Sequence, residues 1–284
     1  MTLLFAGRST FDVAYVCPRF PREDAKLSST NSYALGGGPA LNAAVTARAL
    51  GSDMRLATLL GSGPFADAVR DELAHHGVAV EDFAGPGAAV LPISSIIVVP
   101  ESGSRTVIDQ QPPQALGRSV DFDRLLEHVT VVLTDGFLPE LAIPLCREAR
   151  RRGIPVVLDG GSWKPWTAEI IAHVDCAIVS ERVRPGGADV ADVLAAIHAL
   201  GPSEAAVTRG ERALSWSDGD RRGEIAPPQV EAADTLGAGD VFHGAYCHFR
   251  GSPGFPEAHT RAAEVAAQSC RHFGPRAWIA ELGR

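Results

Sequence analysis

Short runs of unbroken apolar residues recur along the chain, separated by longer stretches whose apolar residues fall at helical spacing. The runs "TLLFAG" (2–7), "MRLATLLG" (54–61), "VTVVLTDG" (129–136), "IPVVLDGG" (154–161), "VDCAIVS" (174–180) and "AAVTRG" (205–210) are apolar at successive positions, as strands covered on both faces are. Between them, "PALNAAVTARALG" (39–51), "FADAVRDELAHHGV" (65–78), "LAIPLCREARRRG" (141–153) and "DVADVLAAIHALG" (189–201) read as helices. Pro39 is tolerated in a first helical turn, and Gly51 and Gly77 supply stops. Alternation of this kind requires a mostly parallel sheet with helices on both faces, an α/β/α core. Several of the runs end in Gly, Asp or Ser, and α/β proteins build ligand sites just beyond such strand ends.

Two segments break the rhythm. Residues 13–35 are polar and β-prone without a helical period, and residues 89–111 read as two strands around the turn "ESGS". The expectation is a small β-sheet lid from 13–35 and 89–111, on a core made of 1–12, 36–88 and 112–284; an extended edge of the main sheet is the alternative. "QPPQ" (111–114) and "APPQ" (226–229) read as connections between strands and core.

Charge and cysteine content narrow the function classes. The formal net charge is −8, no Lys/Arg run stands out, and Lys26 and Lys164 are the only lysines. A nucleic-acid surface needs a basic stripe, so none is expected. An anionic ligand would have to be held by helix N-termini or single arginines. Cys17, Cys146, Cys176, Cys247 and Cys270 are odd in number and scattered, with no C-x-x-C, against a disulfide framework or zinc site. The start "MTLLFAGRST" has no basic leader, and "ISSIIVV" (93–99) is far too short to cross a bilayer. A cytoplasmic location without membrane contact is expected.

The stretch "DTLGAGDVFHGA" (234–245) carries the chemistry. After Leu236 no side chain exceeds a methyl until Asp240, so backbone can approach a ligand closely. A helix starting here leaves the amides of Gly237, Ala238, Gly239 and Asp240 unpaired, and a helix start carries partial positive charge, which makes an anion site. Such donors can stabilise charge on a transferring phosphoryl group, at roughly 10²–10³ in rate per donor. Asp240 at the same mouth can take a proton from an attacking hydroxyl. A merely capped helix also uses Asp and Gly, but the full D-x-x-G-x-G-D pattern before an apolar helix points to the anion site. No G-x-x-x-x-G-K-[ST] occurs, Leu41 and Phe242 spoil both G-x-G-x-x-G candidates, and there is no H-R-D.

With these residues the chain resembles the PfkB, or ribokinase-like, carbohydrate kinases over nearly its whole length. "DTLGAGDVFHGA" is similar to that family's C-terminal signature, "GGGPALNAAVTARALG" (36–51) to its N-terminal segment with Gly37, Gly38 and Asn42 on pattern, and Asp12 in "GRSTFD" falls at its sugar-binding aspartate. The resemblance implies transfer of the ATP γ-phosphoryl to a sugar hydroxyl, with Asp240 as general base and the 237–240 amides as anion hole. It implies that Asp12, Gly37, Gly38, Asn42 and Asp135 hold the sugar. It assigns Thr208, Gly210, Gly237, Gly239 and Gly274 to the nucleotide, and implies Mg²⁺ between the ATP phosphates. A monovalent cation, K⁺, near Asp234 also follows from the family. The family's N-x-x-E segment is altered here to "VSERV" (179–183), which leaves Glu181 as the substitute metal contact.

"GGGPA", "SGSRT", "VLDGG" and "GAGDVFHGA" lean toward ketohexokinase-like and sulfofructose kinase-like members, yet Phe137 stands where those tend to carry Arg. Arg105 in the lid and Lys26 are candidates to reach substrate or phosphate, or are simply exposed. His243 and Cys247, four apart on one helix, read as packing rather than a metal pair. A homodimer through the lid is expected. A nucleoside or vitamin-precursor kinase and an inactive sugar- or nucleotide-binding relative remain the alternatives.

Overall fold

The computed structural model describes residues 1–102, 104–111, 115–185, 192–251 and 254–282. In chain order the elements are β1 (Thr2–Ala6), β2 (Thr10–Val16), β3 (Asn31–Gly37), α1 (Pro39–Ala49), β4 (Asp53–Thr58), α2 (Pro64–His75) and β5 (Ala79–Asp82). They continue as β6 (Ile93–Val99), β7 (Ser104–Asp109), α3 (Phe122–Leu125), β8 (Val129–Thr134), α4 (Pro139–Arg151), β9 (Val156–Gly160) and α5 (Thr167–Ile171). The last are β10 (Cys176–Ser180), α6 (Val193–His198), β11 (Glu204–Arg209), β12 (Arg212–Ser217), β13 (Arg222–Ile225), α7 (Ala238–Phe249) and α8 (Phe255–Cys270).

Nine strands form the main sheet in the order β13-β12-β11-β10-β9-β8-β1-β4-β5. From β11 to β5 every pairing is parallel, and β12 and β13 add an antiparallel edge. Successive residues of β1 point to opposite layers. Leu3 and Phe5 join α1, α2, α7 and α8 on one face, while Leu4 and Ala6 join α4, α5 and α6 on the other. Leu3, Leu4 and Phe5 are wholly buried, each contributing about 1.5–3 kcal/mol. This is why the strand sequences run apolar without alternation. Strand order reverses at β1, so the loops after β1 and β8 part and leave a crevice beyond their C-terminal ends.

A second sheet, β3-β2-β6-β7, stands at that crevice. β2 pairs antiparallel with β3 and parallel with β6, and β6 pairs antiparallel with β7. It comes from two excursions, as expected, but begins at Thr10 and runs through Gly37, with Thr10 opposite Gly37. Asp12 and Gly37 thus belong to the small sheet rather than to the core segments 1–12 and 36–88. These boundaries were missed because register is set by the partner strand, which a local pattern does not contain. The β12–β13 hairpin was not read from the sequence. Residues 112–114 of "QPPQ" and 189–191 of the helix expected over 189–201 lie outside the described residues.

Among the described residues no helix is long and apolar enough to cross a membrane.

Candidate active site

Helix α7 begins at Ala238, one residue before the expected start, capped by Gly237 in the left-handed region at φ 76°. That conformation suits glycine and strains other residues. Among the described residues no acceptor takes the N–H groups of Gly237, Gly239 or Asp240, whereas the Ala238 N–H turns back toward the Thr235 carbonyl at 3.4 Å. The anion-binding end of the helix is therefore three open amides plus one partly engaged.

Ala238 and Gly239 of this turn border a cavity of about 400 Å³. Thr208 and Gly210 line it from the end of β11, Pro227, Pro228 and Gln229 from the loop after β13, and Ala263, Ala266, Ala267 and Cys270 from α8. The α8 side chains on this wall are small. Gly274 is not part of the cavity: its N–H donates to Asp234 Oδ2 (3.1 Å) and its Cα packs against the Tyr33 ring. Gly274 follows the end of α8 at Cys270.

Asp240 stands half-buried in the first turn of α7 and accepts a hydrogen bond from Asn42 Nδ2 at 2.7 Å. Burial pushes its carboxyl up to about 7, and the nearby Asp159 carboxylate adds to the rise, while the Asn42 hydrogen bond and His243 oppose it. His243, one turn on, is buried. Its Nδ1 faces the Gly239 carbonyl (2.7 Å) and an Asp159 oxygen (3.4 Å), and its Nε2 faces the Ile178 carbonyl (3.3 Å). Cys247 is wholly buried and burial raises its thiol pKa, consistent with packing.

Across the crevice, Asp12 on β2 accepts from the Thr10 hydroxyl at 2.6 Å, and burial raises its carboxyl pKa while Thr10, Ser94 and Arg8 pull it down. A side chain at Gly37 would overlap this carboxylate. Gly38 caps α1, whose third residue after Pro39 is Asn42. β2 and β3 thus bring Asp12 to Gly37, and α1 and α7 bring Asn42 to Asp240.

Four other expected site residues are held by partners within the protein itself. Asp135 is 2% exposed, and its carboxylate accepts the N–H groups of Arg8 (2.8 Å), Ala40 (3.3 Å) and Phe137 (2.9 Å). It ties three backbone segments together instead of facing the crevice. Arg105 reaches from β7 to the Thr235 carbonyl (2.8 Å) and hydroxyl (3.2 Å) and borders the nucleotide-sized cavity, away from Asp12. Glu181 is paired with the Arg212 guanidinium, so its carboxylate is engaged by a cation of the protein itself. Asp234 is buried, and its two oxygens accept the N–H groups of Leu236 (2.9 Å) and Gly274 (3.1 Å).

Phe137 lies beneath two cations that sequence reasoning did not associate with it. Lys164 Nζ sits 4.0 Å from its ring centroid and the Arg8 guanidinium carbon 5.1 Å. Arg8 is neutralised by a two-pronged ion pair with Asp109 at the end of β7. Burial lowers the Lys164 pKa; its ammonium donates to the carbonyls of Asp135 (3.2 Å) and Ser162 (3.5 Å). Lys26 is exposed.

A carboxylate beside open helix amides, between a cavity and the small sheet, is an arrangement that could bring an anionic donor to a hydroxyl. Residues 2–281 match the model of the pfkB family carbohydrate kinases, and the chain belongs to that family of sugar kinases. The ribokinase of Bacillus subtilis is 25% identical over 247 residues, spanning 84% of this chain and 82% of that protein. The deoxyribokinase of Salmonella typhimurium is 25% identical over 284 residues, spanning 94% and 91%. The solved Arabidopsis thaliana ribokinase, complexed with ribose and ATP, superposes with a TM-score of 0.76 at 21% identity, covering 99% of this chain and 97% of that one.

Proposed function

We propose that this enzyme transfers the γ-phosphoryl group of ATP to a hydroxyl of a neutral sugar. The observation that carries the reading is Asp240 in the first turn of α7, at a helix start with unpaired amides whose residues Ala238 and Gly239 line the cavity. The adenosine part of the nucleotide occupies the cavity against α8, and its phosphates reach the N-terminus of α7. The sugar lies in the crevice against Asp12, Gly37, Gly38 and Asn42. Asp240 accepts the proton of the attacking hydroxyl as the new oxygen–phosphorus bond forms. The bond from phosphorus to the bridging oxygen breaks, ADP leaves, and the proton passes on to solvent. The open amides hold the charge on the equatorial oxygens during transfer.

Mg²⁺ enters as part of the nucleotide substrate. Among the described residues no three His, Cys, Asp or Glu side chains gather as a metal nest, so phosphates and water carry the ion. Asp234 serves as a staple between two loops, and no step is assigned to K⁺.

Binding of a second copy of this chain over the lid belongs to the same reading. β7 is an edge strand, and Val107 and Ile108 on it are 48% and 63% exposed. Light scattering after gel filtration is expected to give a dimer that Ile108→Lys dissociates; a monomeric wild type at micromolar concentration would contradict this.

A coupled ADP-release assay over pentoses, hexoses, ketoses, nucleosides and anionic sugars tests the main proposal. Sugar-dependent release with one neutral sugar is expected. Nucleoside-dependent release, or ligand binding without turnover, would replace it with one of the alternatives.

A further inference from the structure

Behind Asp240 lies a chain of polar contacts that the transfer step itself does not use. Arg276, after the end of α8, donates from Nη1 to Asn42 Oδ1 at 2.9 Å, and the other end of the same amide donates to Asp240 at 2.7 Å. Arg276 is held in turn by Glu72 of α2, through Nε at 2.9 Å, and by the Gly36 carbonyl of β3, through Nη2 at 2.9 Å. Glu72 completes the clasp by accepting the Gly36 N–H at 2.6 Å. The Arg276 and Glu72 side chains are 13% and 18% exposed.

A guanidinium has donors and no acceptor. It can face the oxygen of an asparagine amide but not the NH₂. With the Asn42 oxygen committed to Arg276, the NH₂ must point at Asp240. The reversed amide would set N–H against N–H at one end and oxygen against carboxylate at the other. We infer that Arg276 is a positioning residue for the base: through Asn42 it fixes a hydrogen-bond donor against the Asp240 carboxylate, with Glu72 and Gly36 fixing Arg276. Four separate elements therefore set the environment of one catalytic group, and one of them, β3, is a lid strand.

The inference rests on Asp240 acting as the base, but it has a readout that does not. The groups facing Asp240 are Asp159 from β9, Asp12 from β2, His243 from α7 and Asn42 from α1. The two carboxylates disfavour its ionised form, and Asn42 favours it. Freeing the Asn42 amide removes that help, so Asp240 titrates at higher pH.

In Arg276→Met the acid limb of the kcat–pH profile is expected to move up by about one pH unit, and kcat at pH 7 to fall roughly fivefold, while KM for ATP stays within about twofold. Arg276→Lys, which keeps a donor, recovers most of the loss. Glu72→Gln is expected to shift the limb in the same direction by less, and serves if Arg276→Met does not fold. The Asp240 carboxyl carbon, followed by NMR in labelled protein, titrates upward in the variants without any sugar present. An unmoved Asp240 titration, or a fall in kcat without movement of the limb, overturns the inference. Absence of sugar-dependent ADP release by the wild type would instead overturn the proposed function and leave the NMR test standing.

Discussion

Gly244 of α7 lies so close to the backbone of α1 that any side chain there would overlap the Ala43 carbonyl oxygen. This crossing brings Asn42 within 2.7 Å of Asp240. A glycine four residues beyond the base thus sets the distance between two helices and, through it, a contact in the site. Gly244→Ala is expected to cost about 1–3 kcal/mol from overpacking, against about 0.5–1 kcal/mol regained in helix propensity. Thermal melting checks the net loss. A kcat that falls at temperatures where the variant remains folded shows the helix spacing acting on the base.

Gly239→Val separates folding from binding. A Cβ at Gly239 would meet no protein atom within 4 Å, so the fold has room for it. That room lies beside the amides that receive the phosphoryl group. The variant is expected to melt within a few degrees of the wild type and to lose turnover. Unchanged turnover would remove this backbone from the mechanism.

Asp12→Ala is expected to raise KM for the sugar and leave ATP affinity as it was. The carboxylate is held by Thr10 on the small sheet, apart from the nucleotide cavity, and an unpaired sugar hydroxyl costs roughly 1–3 kcal/mol. Calorimetry with ATP alone checks the second half: selective loss of nucleotide binding would contradict the assignment.

Much of this was legible in the sequence because it is local. The apolar runs gave the parallel strands, since a buried strand shows no alternation, and the glycine–aspartate turn gave the start of α7, since a helix cap is set by its own few residues. What stayed hidden depends on chain crossings. Arg276 and Glu72 are 204 residues apart and carry no motif. Lys164 reaches Phe137 only once β8 and β9 lie side by side. Asp135 sits on the family's pattern, yet three amides, two of them from distant parts of the chain, take its carboxylate. Arg105 could be placed on the lid but not aimed, because aim follows from how the small sheet docks.

Phe137 bears on the choice of sugar. An apolar ring cannot hold a sulfonate or phosphate as an arginine fork does. Of the two cations on its faces, Arg8 is already paired with Asp109. A neutral sugar is therefore expected to show the higher kcat/KM when fructose, ribose and other neutral sugars are compared with sulfofructose and fructose 6-phosphate. A tenfold preference for an anionic sugar over every neutral one would overturn this and point to Lys164.

The claim on which the account turns is that Asp240 removes the hydroxyl proton. Its carboxyl pKa is pushed up to about 7 by burial, and a base works in its ionised form, so kcat should rise with pH through that region and level off above it. The direct measurement is kcat of Asp240→Asn beside its affinity for ATP. The account predicts a loss of roughly 10²–10⁴ in kcat, with nucleotide binding and melting temperature near those of the wild type. A variant that keeps more than about half of its kcat would take Asp240 out of the reaction.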